Sequence, residues 1–122
     1  MPHHFIMPAD FIVPVIATLA NHSLSQRLHH KHTILARVLA RHKDATAPFT
    51  ALAALGGLEI AMMAGALIKA ASQRRILLMD GFIAGVALLV AEQLAPDVCQ
   101  FAVFAHHSAE PGHGHLLRLL HA

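Results

Sequence analysis

Two stretches of this chain hold side chains that could do acid–base work. One is "MDGFIAG" (79–85), where Asp80 follows an apolar run. The other is "HHSAEPGHGH" (106–115), with His106, His107, Ser108 and Glu110 close together. A carboxylate can hold developing positive charge, and an imidazole near its neutral pKa can carry a proton. Only 13% of the 122 residues are charged, so each carboxylate in an apolar setting calls for a reason. For Asp80 two roles stand side by side. It can cap the helix that follows, accepting a bond from a backbone N–H, or it can serve a site.

The elements around these residues favour proximity. "ILLM" (76–79), introduced by Arg74 and Arg75, reads as a strand, apolar throughout as expected where both faces are covered. "FIAGVALLVAEQLA" (82–95) reads as a helix stopped by Pro96, and "CQFAVFA" (99–105) as a second strand. A strand, a long crossover and a strand make a β-α-β unit with parallel strands and helices on both faces. Ligands of open α/β sheets bind beyond the carboxyl ends of the strands. Asp80 from the first strand and the 106–110 segment from the second both fall there.

Upstream, Pro2, Pro8 and Pro14 make residues 1–22 irregular. A helix capped by Ser23 or Ser25 runs through "LSQRLHHKHTILARVLARHK", and "FTALAAL" forms a short helix ending at Gly56-Gly57. "LEIAMMAGALIKAASQ" reads as a buried helix with small positions for close packing. A last short helix covers "HLLRLL" (115–120). The fold class is therefore α/β: a partial, Rossmann-like parallel sheet flanked by helices, with an N-terminal helix. Residues 1–22 and 23–122 form its two parts.

Composition excludes several functions. A net charge of +2 with no Trp and no Tyr offers neither a basic face nor stacking platforms for nucleic acid. The single Cys99 rules out an internal disulfide framework and fits a reducing compartment. The N-terminal apolar run lacks a basic start and is broken by Pro8, Asp10 and Pro14, so no secretory signal is expected. Segments 51–71 and 76–95 imitate membrane spans, but Glu59, Lys69, Asp80 and Glu92 interrupt them. The expected location is the cytoplasm.

Twelve His residues suggest a metal, with His29/His32 and His113/His115 the closest pairs. No HExxH or paired CxxC pattern reinforces them, so no metal and no cofactor are expected. Gly56-Gly57 ahead of a helix can present N–H groups to a phosphate, or can simply end the preceding helix. Lys31 by itself is an ordinary helix lysine. Cys99 and Ser108 lack a convincing partner arrangement for nucleophilic catalysis.

Taken together the motifs say more. "LAALGGLEIAMMAGALIKAASQRRILLMDGFIAGVALLVAEQLAPDV" followed by "HHSAEPGH" resembles the C-terminal part of nicotinate-nucleotide–dimethylbenzimidazole phosphoribosyltransferases. The helix "LSQRLHHKHTILARVLARH" resembles the one preceding it there. Three ordered motifs, GGLE, DGF and SAEPGH, carry the likeness from about Ser23 onward. The resemblance implies a metal-free enzyme, usually a homodimer, with a Rossmann-like α/β domain. Such an enzyme moves ribose 5-phosphate from nicotinate mononucleotide to dimethylbenzimidazole, giving α-ribazole 5′-phosphate.

It also implies site residues. Asp80 matches an acidic residue of the active site, Ser108 one lining the dimethylbenzimidazole pocket, and Lys31 a lysine near the phosphoribosyl group. Gly56, Gly57 and Glu110 belong to the same motifs. Two family features are absent from these 122 residues: the catalytic-base glutamate of a Gly-Glu-Gly-Ser/Thr-Gly motif, and an upstream Gly-x-Gly-Asn-Thr-Thr segment. Ala105 and His107 also depart from the family's "SHRS". The expectation is a truncated C-terminal part of the enzyme that binds ligand or associates with a complementary part.

Overall fold

The computed structural model describes residues 25–105 and 111–120. The expected irregular segment 1–22 lies outside them. Contacts divide the chain into two compact units, Met1–Leu55 and Gly56–Ala122.

The described part of the first unit is two helices, α1 (Ser25–Arg41) and α2 (Pro48–Leu55). On α1, Leu35, Val38 and Leu39 are half-buried while Lys31, Thr33 and Arg37 are exposed. This is the one-sided pattern of a surface helix. The Thr33 hydroxyl donates to the His29 carbonyl one turn back (3.0 Å). Pro48 opens α2, at the position where a missing N–H is tolerated, and Ala51 is buried.

The second unit holds α3 (Leu58–Ser72), β1 (Leu77–Met79), α4 (Phe82–Leu94), a 3-10 helix (Pro96–Phe101), β2 (Ala102–Phe104) and α5 (Pro111–Leu119). Its centre is α4, where the consecutive residues Ala87 to Ala91 are all buried. A helix apolar on every side belongs in the middle of a core. It packs on α3, on the 3-10 helix and on α5.

Helix α3 ends in a Schellman arrangement. The Arg75 N–H reaches the Ala70 carbonyl (3.1 Å) and the Arg74 N–H the Ala71 carbonyl (2.8 Å). Arg74 holds the left-handed conformation (φ 55°) that usually falls to glycine. The chain then enters β1.

The strands pair in parallel, with Leu77 opposite Ala102, Leu78 opposite Val103 and Met79 opposite Phe104. The expected β-α-β unit is therefore present, but four expectations need correction. First, Cys99–Phe101 are not strand. Pro96 fixes φ at the start of a tight turn, and the Val98 N–H bonds the Ala95 carbonyl at the three-residue spacing (3.0 Å). Second, β1 is not covered on both faces. Leu77 and Met79 are buried, while Ile76 is 78% and Leu78 70% exposed, beside Val103 at 52%. Third, α3 is only partly buried: Ala64 and Ala71 are inside, but Leu58 and Met62 face solvent. Fourth, the last helix begins at Pro111 rather than at His115, with proline again suited to the first turn.

Among the described residues, no helix is long and apolar enough to cross a membrane.

Candidate functional site

The register of the strands fixes what meets at their carboxyl edge. The ladder continues one residue past β2, with the Ala105 N–H donating to the Met79 carbonyl (2.9 Å). Asp80 and Ala105 are therefore the neighbouring residues at which the two chains leave the sheet. Asp80 is exposed. Residues 106–110, which carry His106, His107, Ser108 and Glu110, lie outside the described residues, and the chain is described again from Pro111.

After Asp80 the backbone turns sharply at Gly81, the N-cap of α4 (φ 84°, ψ 173°). This region is open almost only to glycine, so the motif's second residue follows from geometry. The cap position itself belongs to Gly81, which supplies no side-chain cap bond, and Asp80 stands one residue before it. Phe82 then turns inward and is buried. A carboxylate just ahead of a helix N-terminus is favoured by the helix dipole.

Helix α5 returns the chain to the same edge. His113, Leu116 and Leu120, at helical spacing, form its buried face. The fully buried His113 ring sits edge-on to Phe82 (centroids 6.3 Å, 70°) and tilted against Phe104 (6.3 Å, 56°). Phe82 follows Asp80 by two residues, and Phe104 ends β2. One imidazole thus ties α5 to both strand exits. One turn on, Leu116 fills the space left by Gly85, where an added Cβ would lie 2.5 Å from the leucine Cδ2. The sequence shows His113 within SAEPGH but gives it no role. Its spacing to Leu116 and Leu120 was the available signal.

The remaining candidates lie on other elements. Lys31 is exposed on α1, in the first unit. Gly57 is the N-cap of α3 in extended backbone (φ −91°, ψ 162°), without a side-chain cap bond. The Glu59 carboxylate folds back over Gly57, against the space a Cβ there would take. His115 is exposed and lies beside Arg118 (Nδ1 to Nη2, 3.4 Å), whereas His113 points inward. Among the described residues no group of three or more His, Cys, Asp or Glu is placed to hold a metal ion.

Away from this edge, burial pushes the Cys99 thiol up to about 12, helped by the Glu92 carboxylate beside it and their hydrogen bond. A thiol held protonated is a poor nucleophile, and Cys99 is half-buried.

A parallel strand–helix–strand unit is the building block of open α/β sheets, whose ligands bind beyond the carboxyl ends of the strands. Comparison with known proteins makes this specific. A phosphoribosyltransferase family model matches residues 17–122. The nicotinate-nucleotide–dimethylbenzimidazole phosphoribosyltransferase of Cupriavidus taiwanensis is 57% identical over 90 residues, covering 74% of this chain and 26% of the relative. That of Variovorax paradoxus is 53% identical over 93 residues, covering 76% and 27%. The crystal structure of CobT from Thermus thermophilus superposes with a TM-score of 0.77 at 27% identity, covering 93% of this chain and 37% of that one. The chain belongs to the nicotinate-nucleotide–dimethylbenzimidazole phosphoribosyltransferase family. It spans about a quarter of the length of the curated relatives it matches.

Proposed function

We propose that this chain supplies one wall of a site that transfers ribose 5-phosphate from nicotinate mononucleotide to 5,6-dimethylbenzimidazole. The observation that supports the reading is the strand register, which brings Asp80 and Ala105, three residues ahead of SAEPGH in the sequence, to neighbouring exits of one parallel pair. Family membership says which reaction such an edge serves.

The chemistry fits these residue types. As the bond from ribose C1′ to the nicotinate nitrogen breaks, positive charge develops on the ribose, and the Asp80 carboxylate stabilises it. The bond's electron pair leaves with nicotinate. The lone pair of the unprotonated benzimidazole nitrogen forms the new bond to C1′, and the N–H proton on the other ring nitrogen must pass to a base. Ser108 lines the pocket of the incoming aromatic base. The 5′-phosphate calls for a cation and for N–H donors, the kinds of group that Lys31 and, separately, the backbone at Gly56 and Gly57 offer. For the proton, Asp80 and Glu110 are the candidates within these residues, because the family's catalytic glutamate motif does not occur in them. The substrates are soluble metabolites, which supports a cytoplasmic location.

A second reading keeps the ligand pocket and drops the turnover: a binding segment that works as a homodimer or with a complementary part. The exposed apolar positions Ile76 and Leu78 favour it. The deciding experiment gives the purified chain both substrates and detects α-ribazole 5′-phosphate by mass spectrometry. Product that disappears in Asp80→Ala supports the transferase reading. No product at high protein concentration, together with ligand binding that Asp80→Ala weakens, supports the second. Binding of neither substrate refutes both.

A further inference from the structure

Among the described residues His113 is the one polar or charged side chain in the core. Phe82 and Phe104 stand beside its ring, and it shares the inner face of α5 with Leu116 and Leu120. Burying an imidazole costs more than burying an apolar side chain. What the imidazole adds is a proton taken up near its ordinary pKa of about 6.5. We propose that His113 is a pH-sensitive latch: neutral, its ring seats the first turn of α5 against Phe82 and Phe104, and protonated, it releases that turn from both strand exits. Nothing in this latch depends on the proposed reaction.

Several features weight the docked helix toward the neutral ring. Burial disfavours the charged form. His113 lies in the first turn of α5, where the helix dipole disfavours a cation. Both phenyl centroids stand at 6.3 Å, beyond the roughly 6 Å at which an aromatic face holds a cation. The turn has little of its own to hold it, because Gly112 and Gly114 flank His113 and only proline is a weaker helix former than glycine. Loss of the His113 contacts therefore opens this turn locally. Ionisable groups on the surrounding elements are few. Helix α4, on which α5 packs, carries Glu92 alone, about 15 Å along the helix from Phe82 and beside Cys99. Helix α5 adds His115 and Arg118, both exposed, β2 adds none, and the exit of β1 adds the exposed Asp80. His106, His107 and Glu110 lie outside the described residues. Asp80 is the described carboxylate that could hold an imidazolium at this edge, so it forms one arm of the test.

The released turn takes the proton, so docking is complete above about pH 6.5 and is lost as pH falls below it. For one proton the opening equilibrium rises by up to about tenfold per pH unit. Amide exchange followed by NMR on the full chain reads this across about pH 8 to pH 5, with residues 113–120 compared against 87–91 in α4. Protection at 113–120 is expected to fall by about tenfold per pH unit below about pH 6.5 while that at 87–91 holds. His113→Phe and His113→Leu fill the socket with a side chain that cannot titrate, so either should keep α5 protected at the alkaline end and flatten its pH dependence. A wild-type profile indifferent to pH overturns the proposal, as does one in which 87–91 fall in step. So does a fall that persists in a variant whose α5 still docks. Loss of docking at the alkaline end in both variants overturns it too, since the ring would then be needed for more than its neutral shape. Asp80→Asn should leave the wild-type profile as it is, and a fall seen only in that variant would show the imidazolium held in place by the carboxylate, which sinks the latch.

Discussion

Gly85→Ala tests the docking of α5 most directly. Alanine is the better helix former by about 1 kcal/mol in a helix interior, so an uncrowded site would gain stability. Here the new Cβ would lie 2.5 Å from Leu116 Cδ2, with the Phe104 ring also close at 3.8 Å. Leu116 is fully buried and has little room to retreat. Overpacking of this kind costs about 1–3 kcal/mol, so a net loss of about 1 kcal/mol is expected, or about 4–8 °C in Tm for a unit this size. Leu116→Ala should cost about 2–5 kcal/mol through the cavity it leaves. In that background the clash is gone, and Gly85→Ala should stabilise by about 1 kcal/mol. The sign reversal between backgrounds is the signature, a coupling of about 2 kcal/mol in a double-mutant cycle. Urea unfolding followed by circular dichroism reads all four proteins. If Gly85→Ala stabilises equally in both backgrounds, this pair does not lock α5 onto α4, and the predicted clash is refuted.

Gly81→Ala should cost about 1–3 kcal/mol, because its φ of 84° and ψ of 173° are nearly closed to other residues; unfolding midpoints unchanged from wild type would contradict that. Arg74→Gly should stabilise by up to about 1 kcal/mol by relieving a left-handed residue, again by urea titration, and a loss of stability would show that the arginine side chain matters more. Cys99 should react with iodoacetamide at neutral pH on the order of a thousandfold more slowly than an ordinary thiol, since its pKa is raised from 9.0 to about 12. Glu92→Gln should speed it only in part, because burial is the larger cause. A folded pKa above the unfolded one contributes stability that is present below pH 9.0 and lost as pH rises towards about 12. Over that window Cys99→Ala should show a shallower fall in stability than wild type, and parallel curves would count against the buried thiol.

Much of this unit is legible in the sequence because its signals are local. The run "FIAGVALLVAEQL" is apolar at every turn, which only a central helix tolerates, and Pro48, Pro96 and Pro111 mark starts that the backbone must honour. The parallel pairing followed from the crossover length. The uncovered face of β1 was not legible. "ILLM" is apolar at every position and so assigns Leu78 to a core, whereas Leu78 is 70% exposed. The 3-10 helix was missed for a similar reason. Cys99, Gln100 and Phe101 suit a strand by type, and only the turn begun by Pro96 diverts them. His113 was legible as a motif member but not as a wedge, because its meaning depends on Phe82 and Phe104, which are distant in sequence.

In the DGF motif the proposed chemistry and the folding fall on different residues. Phe82 is buried against His113 and anchors the start of α4. Gly81 supplies a backbone conformation that a side chain would strain. With the inward anchor and the turn taken by these two, Asp80 is left exposed at the strand exit, beside the exit of β2. An aspartate that served only to cap would be expected at the cap position, which glycine holds. The proposed function gives this position a second demand, a positive charge developing in a ligand at that edge. Asp80→Asn separates the two demands. It keeps the size and the hydrogen-bonding oxygen but removes the charge, so stability should change by less than about 1 kcal/mol. Under the proposed function, binding or turnover should fall at least tenfold. Equal losses in stability and in ligand response would assign Asp80 to the fold alone.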